Sequence, residues 1–418
     1  MSDANMNKKV CIVIGASHAG VNFAFALRRE GWQGEIILID ADSELPYHRP
    51  PLSKTYLSGE EQIDKIVLKP RESYKKEDIS LFLGLSVRGI NCKDKSITLE
   101  DGSIRNYDKL VIATGARPII PKIAGIEAAK KLFPLRTAAD VAAIRNSLAA
   151  SKNKQVAIIG GGYIGLETAA SLNKLGAEVT VLEREERILA RVTAAEMSAF
   201  FADLHEQHGV AVLTSKNVIE IKWQNEKNEL KCSDGSVYRA DLVIIGVGIH
   251  VNQELAAASG INVENGVIVD AQCKTNMEDV YAIGDCTFHH NPHYNRFIRL
   301  ESVQNAVDQA KVAAAAICGK QIVYDAIPWF WSDQYDIKLQ MVGLSDGYDQ
   351  ALVRKEEGNL NSFSIWYFKK EELLAVDAVN NTKAYVYGTK ILKGNQRVDK
   401  KKLAAPTEEL KLPNILVE

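Results

Sequence analysis

The chain lacks closely spaced cysteines: of its six, no two lie nearer in sequence than Cys273 and Cys286. That spacing excludes C-x-x-C redox pairs, zinc knuckles and the usual iron–sulfur runs. It also lacks any apolar run near the roughly 18 residues of a membrane-spanning helix. Charge of one sign is not in excess either, with 51 Lys and Arg against 53 Asp and Glu and a formal net charge of −2. No global basic field draws in nucleic acid or an anionic membrane, so a charged partner must be met by a local patch. The polar opening MSDANMNKK runs directly into VCIVIG, too short for the apolar core of a secretory signal. The expectation is a soluble cytoplasmic protein with reduced thiols. What the chain does have is 418 residues, 46% hydrophobic and 25% charged. That is an ordinary globular composition, long enough for about three domains of ~150 residues.

Two stretches share one plan. VCIVIG (10–15) reads as a strand, GASHAGVNFAFALRREG (15–31) as a tight turn and helix, and EIILID (35–40) as a second strand. QVAIIG (155–160), GGYIGLETAASLNKLG and EVTVLE (178–183) repeat it. Each strand is a continuous apolar run, as a parallel strand covered on both faces requires. A second repeat supports the first. LEDGSIRNYDKLVIATG (99–115) resembles CSDGSVYRADLVIIGVG (232–248), each with an Asp-Gly-Ser turn, a short strand and an apolar strand ending in glycine. Between the halves, ARPIIPKIAG (116–125) suits a crossover linker. Beyond about residue 326, WFWSDQYDIKLQMVGL, SFSIWYFKK and LLAVDAVN alternate like antiparallel strands of a third domain. The tail KKLAAPTEELKLP reads as a short helix with a surface end. The expected fold class is α/β, with two Rossmann-like dinucleotide-binding domains plus a C-terminal α+β domain.

The first glycine turn, Gly15-Ala16-Ser17-His18-Ala19-Gly20, is a G-x-G-x-x-G frame with serine at the second glycine. Its chemistry requires a strand before it, a helix after it and an acid ending the next strand. Pyrophosphate then meets the helix N-terminus and the acid takes a ribose hydroxyl. Asp40 is that acid, with Asp42 nearby; the bland alternative is an ordinary turn in a parallel sheet. The second turn, Gly160-Gly161-Gly162-Tyr163-Ile164-Gly165, is complete and its unit ends at Glu183. An acid there favours a free 2′-hydroxyl and repels a 2′-phosphate, so NADH is expected over NADPH, a preference that Arg184 and Arg187 can soften. Thr114-Gly115 and Gly246-Val247-Gly248 close the matching strands. Tyr281-Ala282-Ile283-Gly284-Asp285 sets a carboxylate after an apolar strand, where it can accept hydrogen bonds from the ribityl hydroxyls of a flavin; otherwise Asp285 is a turn or cap residue. Leu300-Glu301-Ser302 then leads into a capped helix, VQNAVDQAKVAAAAIC, whose positive end suits a reduced flavin.

With these residues in view, the chain resembles the two-dinucleotide-fold flavoprotein reductases, a putidaredoxin reductase-like family of FAD-dependent ferredoxin and rubredoxin reductases. The resemblance covers essentially the whole chain. Its most specific pieces are Arg49-Pro50-Pro51-Leu52-Ser53-Lys54, Leu135-Arg136-Thr137, GGGYIGLE (160–167), Glu301-Ser302-Val303 and Pro328-Trp329-Phe330-Trp331-Ser332-Asp333-Gln334. It implies a discontinuous FAD-binding domain (1–118 and 247–326), an NAD-binding domain (119–246) and a C-terminal interface domain (327–418). It further implies FAD contacts at Gly15, Ala19, Asp40, Ala41, Lys54, Val87, Arg136, Asp285 and Val303, with Trp331 near the flavin. Gly20 and Arg49 join that cofactor-binding set, as do Gly160, Gly162, Ile164, Gly165, Glu183 and Gly248 for the second nucleotide. Lys54 and Arg136 bring the fixed positive charge an electron-rich cofactor needs. Glu167 resembles the family acid that pairs with the lysine beside the flavin, and the alternative is an exposed helix glutamate. Lys54, Glu167 and Trp331 are therefore the expected catalytic residues.

The implied activity is NADH-dependent ferredoxin reduction with FAD and NADH as cofactors. Hydride enters from NADH and single electrons leave to an acidic two-iron ferredoxin, or to rubredoxin, serving a haem monooxygenase or a dioxygenase. The enzyme is expected as a monomer or weak dimer, without nucleic acid, membrane or metal. Lys69, Arg71, Lys311, Lys338 and Lys390 are candidates for a basic docking patch. The alternatives are an NADH oxidase or quinone reductase, and a regulatory flavoprotein that answers NADH by changing its oligomer state. Ser17 departs from the family pattern, and the stretch 41–60 holds no cysteine for disulfide chemistry. Cys286 reads as a small packed residue. His289, His290 and His293 read as solvated loop histidines without the carboxylate or cysteine a metal needs. His205 and His208 read as complements to a helix C-terminal dipole.

Overall fold

A computed structural model describes residues 8–356, 361–405 and 409–417. Most of the polar opening, and residues 406–408 of the tail read as a helix, lie outside the described residues. The chain divides into two compact units. The first is Met1–His48, Ile63–Arg117 and His250–Ala326; the second is Arg49–Gln62, Pro118–Ile249 and Ile327–Glu418. Arg49–Gln62, which the sequence boundaries assign with the flanking 1–118, thus groups with the second unit.

The first unit is built on a five-stranded parallel sheet in the order Val280–Ala282, Lys109–Ile112, Val10–Ile14, Glu35–Asp40, Ile79–Leu83. Its central strand is apolar throughout because both faces are covered, and Cys11, Ile12 and Val13 are wholly buried. One face carries the helix His18–Arg29, which packs on the helix Val303–Ile317. Ala306, Ala310, Ala313 and Ala314 of the second helix share a core with Ala19, Phe23 and Ala24 of the first, and small side chains permit the close approach. The other face is covered by Ile97 and Leu99 of a three-stranded antiparallel sheet, Val87–Asn91, Ser96–Leu99 and Ile104–Asn106.

The second unit repeats this plan. Its parallel sheet runs Ala211–Leu213, Glu178–Leu182, Gln155–Ile159, Leu242–Ile245, Leu132–Pro134, with the helix Tyr163–Lys174 after the central strand. The antiparallel strands Val218–Gln224, Lys227–Cys232 and Val237–Ala240 mirror those of the first unit, so the Asp-Gly-Ser repeat is a structural repeat. After residue 326 comes a five-stranded antiparallel sheet, Trp329–Gln334, Ile337–Gly343, Glu372–Val379, Phe363–Lys369, Gln350–Lys355. One face of this sheet buries Ile337, Leu339, Ile365 and Tyr367 in a single core with Leu166, Met197 and Phe201. The other face is closed by the helix Thr382–Gly394, capped by Asn381 and burying Ala384, Gly388 and Ile391. No helix among the described residues is long and apolar enough to cross a membrane.

Candidate functional site

The two glycine turns have one geometry. Gly15 and Gly160 sit at φ 106° and 109°, in the region open to glycine, and turn the chain from strand to helix. A Cβ on Gly20 would lie 1.9 Å from the Gly15 carbonyl oxygen, and one on Gly165 2.2 Å from that of Gly160. Both helices begin without a side-chain cap and without an acid in the first turn. Their positive ends are thereby suited to pyrophosphate. Ser17 occupies its position at φ −107°, which any residue adopts, so its departure from glycine costs the backbone nothing. At the equivalent Gly162 the space a Cβ would take is open.

The acids close each turn alike. Asp40 accepts from the amides of Ala16 (2.5 Å) and Asp42 (2.8 Å), and Glu183 accepts from those of Gly161 (2.5 Å) and Glu185 (2.8 Å). Arg184 bonds Glu185, while Arg187 is tied to Ser198 and the carbonyl of Ala190. Both arginines are thus engaged, Arg184 by its neighbour Glu185 and Arg187 by a helix residue and a loop carbonyl.

In the first unit, Asp285 lies half-buried in the single turn Gly284–Cys286, directly after the strand Val280–Ala282. Val303 starts its helix behind Ser302, whose hydroxyl accepts from the amide of Asn305 (3.1 Å). Ala41 is exposed beside Asp40, and Val87 is half-buried at the start of its strand. Cys286 is fully buried, its thiol donating to the Ile283 carbonyl, and burial raises its pKa, so it is a packed residue.

The second unit assembles a buried ion pair. Gly165 through Leu172 are all buried, so the Glu167 carboxylate, 1% exposed, has no route to water. It needs partners within the protein. Pro50–Ser53 forms one turn of tight helix that delivers them: Lys54 Nζ lies 2.6 Å and Ser53 Oγ 2.5 Å from Glu167 Oε2. Ser332 Oγ donates to Oε1 at 2.6 Å, and Ser171 Oγ bonds the Ser53 carbonyl (2.7 Å) to fix the turn. The exposed-glutamate alternative is therefore excluded. Trp331 alternates to the opposite face of its strand from Ser332, where it sits 5.6 Å from the Trp329 ring. Ser332, unmarked as a site residue by sequence reasoning, is the strand's contact to Glu167. Arg49 Nη1 bonds the carbonyl of Arg136, which precedes a capping box of Thr137 and Asp140. Ile164 is exposed next to the second turn, and Gly248 is likewise exposed. Of the patch candidates, Lys311 is engaged by Asp308.

Two histidine readings are corrected. His289 is 3% exposed on the strand Thr287–Asn291, beside Gln309 and Tyr324, and is not a solvated loop residue. Among the described residues no three or more His, Cys, Asp or Glu side chains cluster as metal ligands would. His205 is fully buried against Gln334 and burial pushes its pKa down, so it does not serve the helix terminus as a cation. His208 bonds the Leu204 carbonyl. Burial lowers the His289 pKa from 6.5 to about 4. The unfolded chain protonates first, so stability present above pH ~6.5 is lost as pH falls toward 4, by up to about 3 kcal/mol. Urea unfolding at pH 7 and pH 5 checks this. His289→Asn, which keeps an acceptor for Gln309, is expected to lose that component of the slope.

Two nucleotide-binding turns, one in each unit, and a buried lysine–carboxylate pair in the second unit define a two-nucleotide oxidoreductase. Residues 9–310 match the pyridine nucleotide-disulphide oxidoreductases and residues 329–412 the reductase C-terminal family. The chain belongs to the pyridine nucleotide-disulphide oxidoreductase family, whose cofactors are FAD and NAD(H). It is 43% identical over 404 residues to the 5,5'-dehydrodivanillate O-demethylase ferredoxin reductase subunit of Sphingobium sp., covering 96% of this chain and 97% of that one. It is 42% identical over 383 residues to putidaredoxin reductase of Pseudomonas putida, covering 90% and 89%. Its fold matches the crystal structure of the covalent putidaredoxin reductase–putidaredoxin complex with a TM-score of 0.90 and 39% identity, covering 96% of both chains. The cradles described above fit both cofactors: each has a glycine turn, an uncapped helix N-terminus and an acid held at the end of the second strand.

Proposed function

We propose that this chain oxidises NADH and delivers the electrons singly to an acidic two-iron ferredoxin, or to a rubredoxin, that serves a haem monooxygenase or a dioxygenase. It works in the cytoplasm as a monomer or weak dimer. One observation carries the reading: all six cysteines are free, and none lies in 41–60. With no disulfide in the chain to take them, the electrons pass to an acceptor outside the chain. The names of its relatives agree, being those of reductases of ferredoxin, putidaredoxin and rubredoxin.

FAD, when bound, accepts a hydride and gives up electrons one at a time. The chain's own residues bind, orient and set charge. Gly15 to Gly20 and Asp40 hold one nucleotide, with Ala41, Val87, Asp285 and Val303 lining the same site. Gly160 to Gly165, Glu183 and Gly248 hold NADH. Arg49 and Arg136 would add positive charge for FAD, and Trp331 would stand near the flavin. Lys54 and Glu167 supply a fixed charge pair for the hydride step, already desolvated and positioned before substrate arrives.

Cytochrome c reduction by the yellow protein with NADH, with and without an acidic two-iron ferredoxin, tests the reading. A large ferredoxin-dependent rate that falls with added salt is expected. A rate indifferent to ferredoxins and rubredoxins, with NADH changing the oligomer size, overturns it. For the nucleotide, Glu183→Ala is expected to lower the NADH over NADPH ratio of kcat/KM about tenfold or more, through loss of a charge-assisted ribose contact. An unchanged ratio would sink the assignment of Glu183.

A further inference from the structure

A line of side-chain hydrogen bonds runs through the second unit to Glu167, and only its last member has so far been given a role. Ser332 and Gln334 lie two apart on one strand, on the same face of the pleat. Gln334 Nε2 is 3.2 Å from Ser332 Oγ, Gln334 Oε1 is 2.8 Å from His205 Nε2, and the Tyr335 hydroxyl is 3.4 Å from His205 Nδ1. Tyr335 in turn stacks on the exposed His208 ring at 3.7 Å. Ser332, Gln334 and His205 are buried, each no more than 1% exposed.

Hydrogen accounting gives the line one direction. The Glu167 carboxylate only accepts, so the single hydrogen of Ser332 is spent on it. Ser332 must then accept from the amide nitrogen of Gln334, which turns the Gln334 oxygen toward His205. That oxygen requires a hydrogen on His205 Nε2, leaving Nδ1 to accept from Tyr335. Every donor points toward the carboxylate. Burial keeps the imidazole neutral, while Gln334 opposes that shift and His208 adds to it.

We propose that His205 and Gln334 are positioning residues, which through the Ser332 hydroxyl orient the Glu167 side chain and so the Lys54 ammonium paired with it. The inference rests on the reading that the Lys54–Glu167 pair serves the hydride step. It assigns a role to Ser332 and Gln334, which share one face of the strand Trp329–Gln334.

The test uses the holoenzyme. Nuclear magnetic resonance of isotope-labelled histidine is expected to show His205 as the neutral Nε2–H tautomer at neutral pH; the Nδ1–H tautomer overturns the proposal. In rapid mixing with NADH, His205→Phe is expected to slow flavin reduction about tenfold, the scale of a weakened hydrogen bond to a charged group, with the NADH Kd unchanged. His205→Gln, whose amide nitrogen stands close to where Nε2 stands, is expected to restore the rate to within about twofold. Equal rates in His205→Phe and the parent, or equal losses in the Phe and Gln variants, overturn the positioning role. If Glu167→Gln slows the step while His205→Phe does not, the line is idle and the hydride-step reading stands. If Glu167→Gln leaves the step unchanged, that reading falls and takes this inference with it.

Discussion

Lys54→Met is expected to lower the stability of the second unit by about 3–5 kcal/mol, because it removes the cation from a buried pair and leaves the carboxylate behind. The asymmetry of exposure decides which partner to remove. Glu167 is 1% exposed at its side chain and Lys54 15%, so an orphaned Glu167 has no water to turn to, whereas an orphaned Lys54 has some. Two hydroxyls, from Ser53 and Ser332, still reach the carboxylate in the variant. They soften the loss and do not replace a charge. NADH-dependent bleaching of the bound flavin is expected to slow about 100-fold or more, the scale of removing one preorganised electrostatic group. Urea unfolding reads the first effect and rapid mixing the second. Lys54→Arg keeps the charge on a planar head, so it should recover most of the stability and less of the rate. A Lys54→Met protein with parental stability and parental flavin reduction would remove the pair from both the fold and the chemistry.

The parts of the molecule legible in the sequence are those encoded over short spans. A strand, a glycine turn, a helix and an acid fall within some 30 residues, so both nucleotide folds, with Asp40 and Glu183, could be read in order. The Asp-Gly-Ser turns also mark hairpins that exist in both units. Glu167 stands out in the sequence through resemblance alone, because its partners come from Ser53, Lys54 and Ser332, at distant points of the chain. The histidines failed for a related reason. His205 stands near a helix end, where a histidine suits the terminal dipole, and nothing local says that its partner is Gln334, on a strand of a different sheet. The helix Thr382–Gly394 has no counterpart among the sequence expectations; its buried positions are Ala384, Gly388 and Ile391. A Cβ on Gly388 would lie 2.7 Å from a Val376 methyl, so glycine there lets the helix lie on the sheet rather than breaking it. Arg49–Gln62 groups with the second unit because Ser53, Lys54 and the Ser53 carbonyl are bound by the helix Tyr163–Lys174.

Gly20→Ala is expected to abolish retention of FAD through purification, although alanine is the smallest change available and the position lies inside a helix that alanine favours. The added methyl would fall 1.9 Å from the Gly15 carbonyl oxygen and 3.2 Å from Val13 Cγ1. The near atom is backbone, so relief requires the helix His18–Arg29 to move off the central strand rather than a side chain to rotate. That movement carries the helix N-terminus away from the turn at Gly15, which is where pyrophosphate is held. Overpacking of this kind costs about 1–3 kcal/mol in ordinary cores. Here the same displacement also opens the nucleotide cradle, so colour should be lost before the fold is. Gly102→Ala separates this effect from glycine strain. Gly102 sits at φ 82° with nothing within 4 Å of an added Cβ, so alanine there brings backbone strain of about 1 kcal/mol without a clash. The Gly102 variant should remain yellow and the Gly20 variant should emerge colourless, with circular dichroism reporting folded protein in both. A yellow Gly20→Ala protein would mean that the first glycine turn tolerates a wider spacing than its geometry indicates. The assignment of FAD to that turn would then have to be tested directly, by measuring FAD affinity in an Asp40→Ala variant.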